Sequence, residues 1–254
     1  GQGAIKFGDL LKANVLGDFI TSGLKSVVGA VKQVGSALLS VGKDALDSYA
    51  NYEQLVGGVE TLFKDNAGVV EEYASNAYKT AGLSANDYME TVTSFSASLL
   101  QSLNGDTKKA AEVSNRAVVD MADNANKMGT DMTSIQNAYQ GFAKQNYTML
   151  DNLKLGYGGT KEEMQRLIKD AANMKDVQKE LGVTVDANSM SFGNIVNAIS
   201  VMQKKMDIAG TTSKEASTTI QGSIASLKSA WDNLLTGVAD DDADWDNLVS
   251  NFFD

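Results

Sequence analysis

The chain has no proline among its 254 residues. Average usage of about 5% predicts roughly a dozen prolines in a chain of this length. Proline interrupts helices, whereas loops and sheet edges commonly contain it. The sequence therefore favours long uninterrupted helices over a loop-rich β-protein.

Apolar residues recur at helical spacing almost everywhere, and no stretch shows sustained strand alternation. Residues 183–185 are the only short strand candidate. Six stripes beyond residue 84 each place their members on one helix face: Tyr88, Val92, Phe95, Leu99 and Leu103; Ala111, Val118, Met121, Ala125 and Met128; Ile135, Ala138, Tyr139 and Phe142; Met164, Leu167, Ile168, Ala171 and Met174; Phe192, Ile195, Ile199, Met202 and Met206; Ala216, Ile220, Leu227, Trp231 and Leu234. The pattern predicts an all-α protein.

Three predicted helix starts combine a glycine, a hydroxyl residue and an acid three positions further on, which is the pattern of a capping box. They are Gly82-Leu83-Ser84 with Asp87, Gly159-Thr160 with Glu163, and Gly210-Thr211-Thr212 with Glu215. Such short connections favour helices that pack against their neighbours. The predicted fold class is all-α, with a long N-terminal heptad helix followed by a multi-helix bundle-like domain. The predicted divisions are a long amphipathic coiled-coil segment over residues 1–67, a compact helical domain over 68–236 and an acidic C-terminal helix over 237–254.

The N-terminal helix carries a heptad seam, in which apolar residues alternate at steps of four and three. Its members are Ile20, Leu24, Val27, Val31, Val34, Leu38 and Val41. Two interpretations stay open. The seam belongs either to an amphipathic helix folded on its own domain or to a self-associating coiled coil in an assembled parent protein.

The composition argues against most enzyme chemistry, because the chain contains neither cysteine nor histidine. Thiolate nucleophiles, imidazole acid–base catalysis and the usual zinc ligands are therefore missing. The net charge of −10 would repel phosphates, so nucleic-acid binding is not expected. We predict no catalytic residue, no cofactor and no metal site.

Two motifs resemble ligand sites, but each lacks residues that such a site requires. Residues 156–161 (GYGGTK) place glycines before a helix start, as in a phosphate loop, but Thr160 precedes Lys161 and no strand comes first. We predict a turn with a cap. Aspartates alternate from Asp240 to Asp246 as in a calcium loop, but Trp245 stands where glycine is needed and Asn251 where glutamate is needed.

Three stretches of the chain resemble the tail tape measure proteins of long-tailed bacteriophages and prophages. The first is YEQLVGGVETLF at residues 52–63. The most specific is AYQGFAKQNYTMLDNLKLGYGGTKEEM at residues 138–164. A third runs from GTTSKEAS at residues 210–217 to AWDNLL at residues 230–235. The resemblance spans roughly residues 45–250.

The resemblance implies a non-enzymatic structural protein of the virion, acting in tail assembly, tail-length determination and DNA ejection. Several copies would lie side by side in the lumen of the tail tube, after assembly in the host cytoplasm. Tail tube proteins and tail assembly chaperones are the implied partners. Family members are much longer, and the chain starts with Gly1 and not methionine. We therefore expect a near-N-terminal segment of a longer parent, which cannot measure length alone.

A membrane-active helical protein, similar to a pore-forming toxin, is the alternative function. Residues 15–42 are rich in apolar and small residues, but Asp18, Lys25 and Lys32 interrupt them. The longest uncharged run, residues 33–42, is far shorter than the roughly 18 residues of a membrane span. An interfacial helix making transient membrane contact stays open.

Overall fold

The computed structural model describes residues 31–218 and, beyond them, positions 229, 230, 232, 233, 236, 237, 247 and 251. For residues 31–46 and 216–218 this description covers the backbone alone. The helices are α1 (Val31–Phe63), α2 (Ala67–Thr80), α3 (Ala85–Ser102), α4 (Thr107–Met128), α5 (Met132–Ala143), α6 (Lys161–Asn173), α7 (Lys175–Leu181), α8 (Phe192–Lys205) and α9 (Thr211–Thr218). Short 3₁₀ turns occupy Lys64–Asn66 and Leu150–Leu153.

The all-α prediction is confirmed for the part of the chain that the structure describes, where no strand occurs. The strand candidate at residues 183–185 lies in the loop between α7 and α8. Val185 is buried there, and its backbone N–H donates to the side-chain oxygen of Gln178 at 3.0 Å. This loop residue therefore uses a side chain, and not a neighbouring strand, to satisfy its buried N–H group.

Two of the three predicted caps are confirmed. Ser84 accepts a hydrogen bond from the backbone N–H of Asp87 at the start of α3, and Thr160 accepts one from Glu163 at the start of α6. The third cap differs from the prediction. The first turn of α9 is capped by Asp123 of α4, which accepts hydrogen bonds from two backbone N–H groups there.

One contiguous hydrophobic core joins the helices, from Val59 and Phe63 on α1 to residues of α8. Helix α4 lies near its centre and packs against α3, α5, α8 and α9. The five stripes between residues 88 and 202 supply much of this core, as predicted. Met206 is an exception, because α8 ends at Lys205 and the Met206 side chain is 37% exposed.

Several predictions fall outside the described residues. Ile20, Leu24 and Val27 of the seam lie there, and for Val31, Val34, Leu38 and Val41 the structure describes only the helical backbone of α1. The side chains of the last stripe, residues 216–234, and the aspartates at residues 240–246 also lie outside the description. The division of the chain at residues 67 and 236 stays a prediction.

Candidate functional site

A group of hydrogen-bonded polar side chains lies inside the core and not in an open cleft. We name it the α4 polar cluster: Asp120, Asp123, Asn124, Ser200 and Gln203. All five residues are at most 5% exposed. The cluster joins the C-terminal half of α4 to α8, to the turn before α9 and to the 3₁₀ turn Leu150–Leu153.

Asp120 is one of the two buried acids of the cluster. Its carboxyl group is hydrogen-bonded to the hydroxyl of Ser200, and its backbone carbonyl accepts from the side-chain amide of Gln203 at 2.9 Å. The pKa of Asp120 is raised to about 7. Burial is the largest cause and the charge of Asp123 adds to it, whereas the hydrogen bond with Ser200 and the charge of Arg116 oppose the rise. Removing a carboxylate from water disfavours its charged form.

Asp123 lies one helical turn from Asp120 and has different partners. Its carboxylate accepts from the backbone N–H of Gly210 at 2.7 Å and from that of Thr212 at 2.9 Å. Burial raises the pKa of Asp123, and these two hydrogen bonds oppose the rise. Asp123 therefore provides a carboxylate at the N-terminus of α9, where the helix dipole favours negative charge.

Asn124 uses both donors and its acceptor in the same region. Its amide nitrogen donates to the backbone carbonyl of Leu153 and to the side-chain oxygen of Gln203, each at 2.9 Å. Its amide oxygen accepts from the hydroxyl of Thr130 at 2.8 Å. Such a satisfied buried amide stabilises one arrangement of the elements around it.

Two buried polar atoms near the cluster have no hydrogen-bond partner among the described residues. They are the hydroxyl of Tyr139 on α5 and the Nε of Arg116 on α4. The described residues contain no group of three or more acidic side chains placed to bind a metal ion. The arrangement can orient helices and hold protons, and the burial of Asp120 and Asp123 separates both carboxyl groups from solvent.

The glycine turn at residues 156–161 is a turn with a cap, as predicted. The backbone N–H of Gly158 donates to Glu163 at 3.1 Å, and Arg166 donates to both oxygens of the same carboxylate. A Cβ atom on Gly159 would meet the carbonyl oxygen of Thr148 at 2.3 Å. Glycine is required at this close backbone contact, and Glu163 occupies the place that a phosphate would need.

An open groove between α3 and α5 has a volume of about 290 Å³. Two exposed carboxylates line it, together with amides, hydroxyls and one leucine: Leu83, Asp87, Glu90, Thr91, Ser94, Gln136 and Gln140. Gln136 donates to the hydroxyl of Thr91 at 3.0 Å, which ties the two walls together. The lining is acidic and polar, and it offers no basic group for an anion.

Residues near the end of the described chain contact the start of α3 and the middle of α1. Asn233 accepts from the backbone N–H of Ala85 at 2.8 Å, and the hydroxyls of Thr236 and Ser48 lie 2.5 Å apart. Asn86 donates to the carbonyl of Ser48 at 3.0 Å. These polar contacts therefore connect α1, the start of α3 and these late residues.

Sequence reasoning did not identify the α4 polar cluster, although a signal was available. Asn124 follows Ala117 by seven positions and Met121 by three, so it lies on the apolar face of α4. Asp120 lies beside the same face. Their partners on α8 cannot be identified from α4 alone.

No protein-family model, curated protein or solved structure matches this chain. Among the described residues, none of the helices combines the length and the apolar character that crossing a bilayer requires.

Proposed function

We propose that this chain is a structural segment of a tail tape measure protein from a bacteriophage or prophage, without enzymatic activity. The observation that carries the proposal is the stretch at residues 138–164, which most specifically resembles that family. In the fold this stretch supplies core residues, among them Tyr139, Phe142, Leu150, Leu153 and Met164. Such burial shows that the stretch contributes to the core of the fold.

Self-association through the heptad seam is the second part of the proposal. Helix α1 is described over 33 residues, from Val31 to Phe63, which corresponds to a rod of about 50 Å. Its far end is held in the core by Val59 and Phe63. This continuity supports a long helix that is anchored at one end. We propose that this helix pairs with other copies along the seam.

The proposed setting is the lumen of the tail tube, after assembly in the host cytoplasm with tail tube and chaperone proteins. The net charge of −10 is compatible with a lumen through which DNA must pass, because an acidic surface repels phosphates. Acidity also distinguishes the proposed role from that of a DNA-binding protein, which would need a basic surface.

A double charge substitution in the full-length parent tests the proposal. Leu24→Asp with Val31→Asp places charges at two seam positions one heptad apart, and we expect electron microscopy to show no assembled tails. The matched control is Ser26→Asp with Gln33→Asp, which adds the same charge at the same spacing away from the seam. We expect normal tails from the control.

Normal tails from the seam variant would exclude the seam as an interface between copies. Complete tails of unchanged length after deletion of the parent gene would exclude the tape measure function itself. Leakage of liposomes caused by the purified chain would instead favour the membrane-active alternative.

A further inference from the structure

The hydrogen bonds around Ser200 indicate whether the Asp120 carboxyl group carries a proton. The Ser200 hydroxyl lies within hydrogen-bond distance of the Asp120 carboxyl group and 3.1 Å from the carbonyl oxygen of Val196. A serine hydroxyl has one hydrogen, and a carbonyl oxygen can only accept. If Asp120 were ionised, both neighbours would be acceptors, and the single hydrogen of Ser200 would have to serve both contacts.

The two acids of the cluster differ in the donors that reach them. Asp123 receives two backbone N–H groups, which is the environment of an ionised carboxylate. The Asp120 carboxyl group has Ser200 as its only hydrogen-bond partner among the described residues, because the amide of Gln203 donates to the Asp120 backbone. A buried carboxylate with so little donor support would be costly.

We infer that Asp120 and Asp123 together hold one proton, that this proton lies on Asp120 and is donated to Ser200, and that its loss weakens the contact between α4 and α8. The protonated acid completes a chain in which Asp120 donates to Ser200 and Ser200 donates to Val196. Asp123 stays ionised and caps α9. Two adjacent carboxyl groups with different environments commonly divide their protons in this way.

The charged and titratable groups facing the pair are few. Arg116 of α4 favours ionised Asp120, whereas Asp123 opposes it. Tyr139 of α5 interacts electrostatically with Asp120, and Glu215 of α9 interacts in the same way with Asp123. The groups that α8 contributes, Ser200 and Gln203, do not titrate. Burial is the largest influence, and it raises the pKa of Asp120 to about 7.

The sign of the pH dependence follows from this raised pKa. The ordinary pKa of an aspartate is 3.8, so between that value and about 7 the folded state binds a proton that the unfolded state has lost. Stability therefore falls as the pH rises through this window. One proton corresponds to a change of about tenfold in the unfolding equilibrium constant per pH unit.

Carboxyl ¹³C NMR of the purified chain measures the proton directly. We expect the Asp120 resonance to titrate with a midpoint near pH 7 and the Asp123 resonance to titrate below it. The Asp120→Asn variant assigns the resonance. An Asp120 carboxyl group that is already ionised at about pH 5 would overturn the inference.

Urea unfolding between about pH 5 and pH 8 tests the consequence for stability. In Asp120→Asn the amide can donate to Ser200 without a titrating proton, so we expect the variant to lose the part of the pH dependence that Asp120 causes. Asp151→Asn, which removes an exposed aspartate of the 3₁₀ turn, is the control and should keep the wild-type slope. An equal slope in wild type and Asp120→Asn would contradict the inference.

Discussion

Two buried tyrosines differ in whether the side-chain hydroxyl has a hydrogen-bond partner among the described residues. Tyr88 and Tyr139 are both completely buried. The hydroxyl of Tyr88 donates to the side-chain oxygen of Asn115 at 2.9 Å, whereas that of Tyr139 has no partner among the described residues. Burial raises the pKa of both far above the ordinary tyrosine value, so both stay neutral. Their difference is therefore one of hydrogen bonding and not of charge.

We expect the same substitution to have opposite effects at these two positions. Tyr139→Phe removes a buried hydroxyl without a partner and should raise the free energy of unfolding by about 1 kcal/mol. Tyr88→Phe breaks a hydrogen bond and should lower it by about 1 kcal/mol. Urea unfolding of the two variants and the wild type measures both changes. A loss of stability in Tyr139→Phe would show that its hydroxyl has a favourable interaction in the folded protein.

At the scale of helices, the sequence predicts those helix caps that come from residues close together in the chain. The caps of α3 and α6 come from hydroxyl residues three positions before the N–H that they bind, so spacing alone identifies them. The cap of α9 comes from Asp123, which precedes Gly210 by 87 positions. No local pattern contains that partner. The prediction that residues within 210–215 cap this helix is therefore wrong.

Capping by a distant helix should contribute more to stability than capping by a neighbouring residue. Asp123→Ala leaves the buried N–H of Thr212 and that of Gly210 without their acceptor, and we expect a loss of about 2 kcal/mol. Asp131→Ala removes the exposed cap of α5 and should cost about 1 kcal/mol.

Hydrogen exchange separates the two effects. Amides of α9 should exchange faster in Asp123→Ala, whereas Asp131→Ala should affect mainly the first turn of α5. Unchanged exchange in α9 of the Asp123→Ala variant would mean that other contacts hold this helix in place.

At the scale of the whole molecule, periodicity predicts the fold class and most of the core, but not the α4 polar cluster. The stripes are predictable because helical spacing places Tyr88, Val92 and Phe95 on one face whatever packs against it. The cluster depends on which residue of α8 reaches which residue of α4. That pairing is set by tertiary packing, and a sequence contains no spacing rule for it.

Net charge provides a prediction for the molecule as a whole. The charge of −10 implies repulsion across the surface, and described ion pairs such as Arg166 with Glu163 are exposed and contribute little. Screening should therefore stabilise the fold. We expect the melting temperature to rise between about 0.01 M and 0.15 M sodium chloride, as the screening length falls from about 30 Å to 8 Å. A falling melting temperature would show that favourable ion pairs outweigh the repulsion.

The sequence separation within the α4 polar cluster has a consequence for timing during synthesis. Asp120 and Ser200 are 80 positions apart, and Asp123 and Thr212 are 89 apart. At typical translation rates, Ser200 and Thr212 leave the ribosome on the order of ten seconds after the acids that they contact. Helix α4 can form well before then, with water around both carboxyl groups. The interior of the cluster is therefore among the last parts of the core to close, and a chain halted before residue 200 cannot complete it.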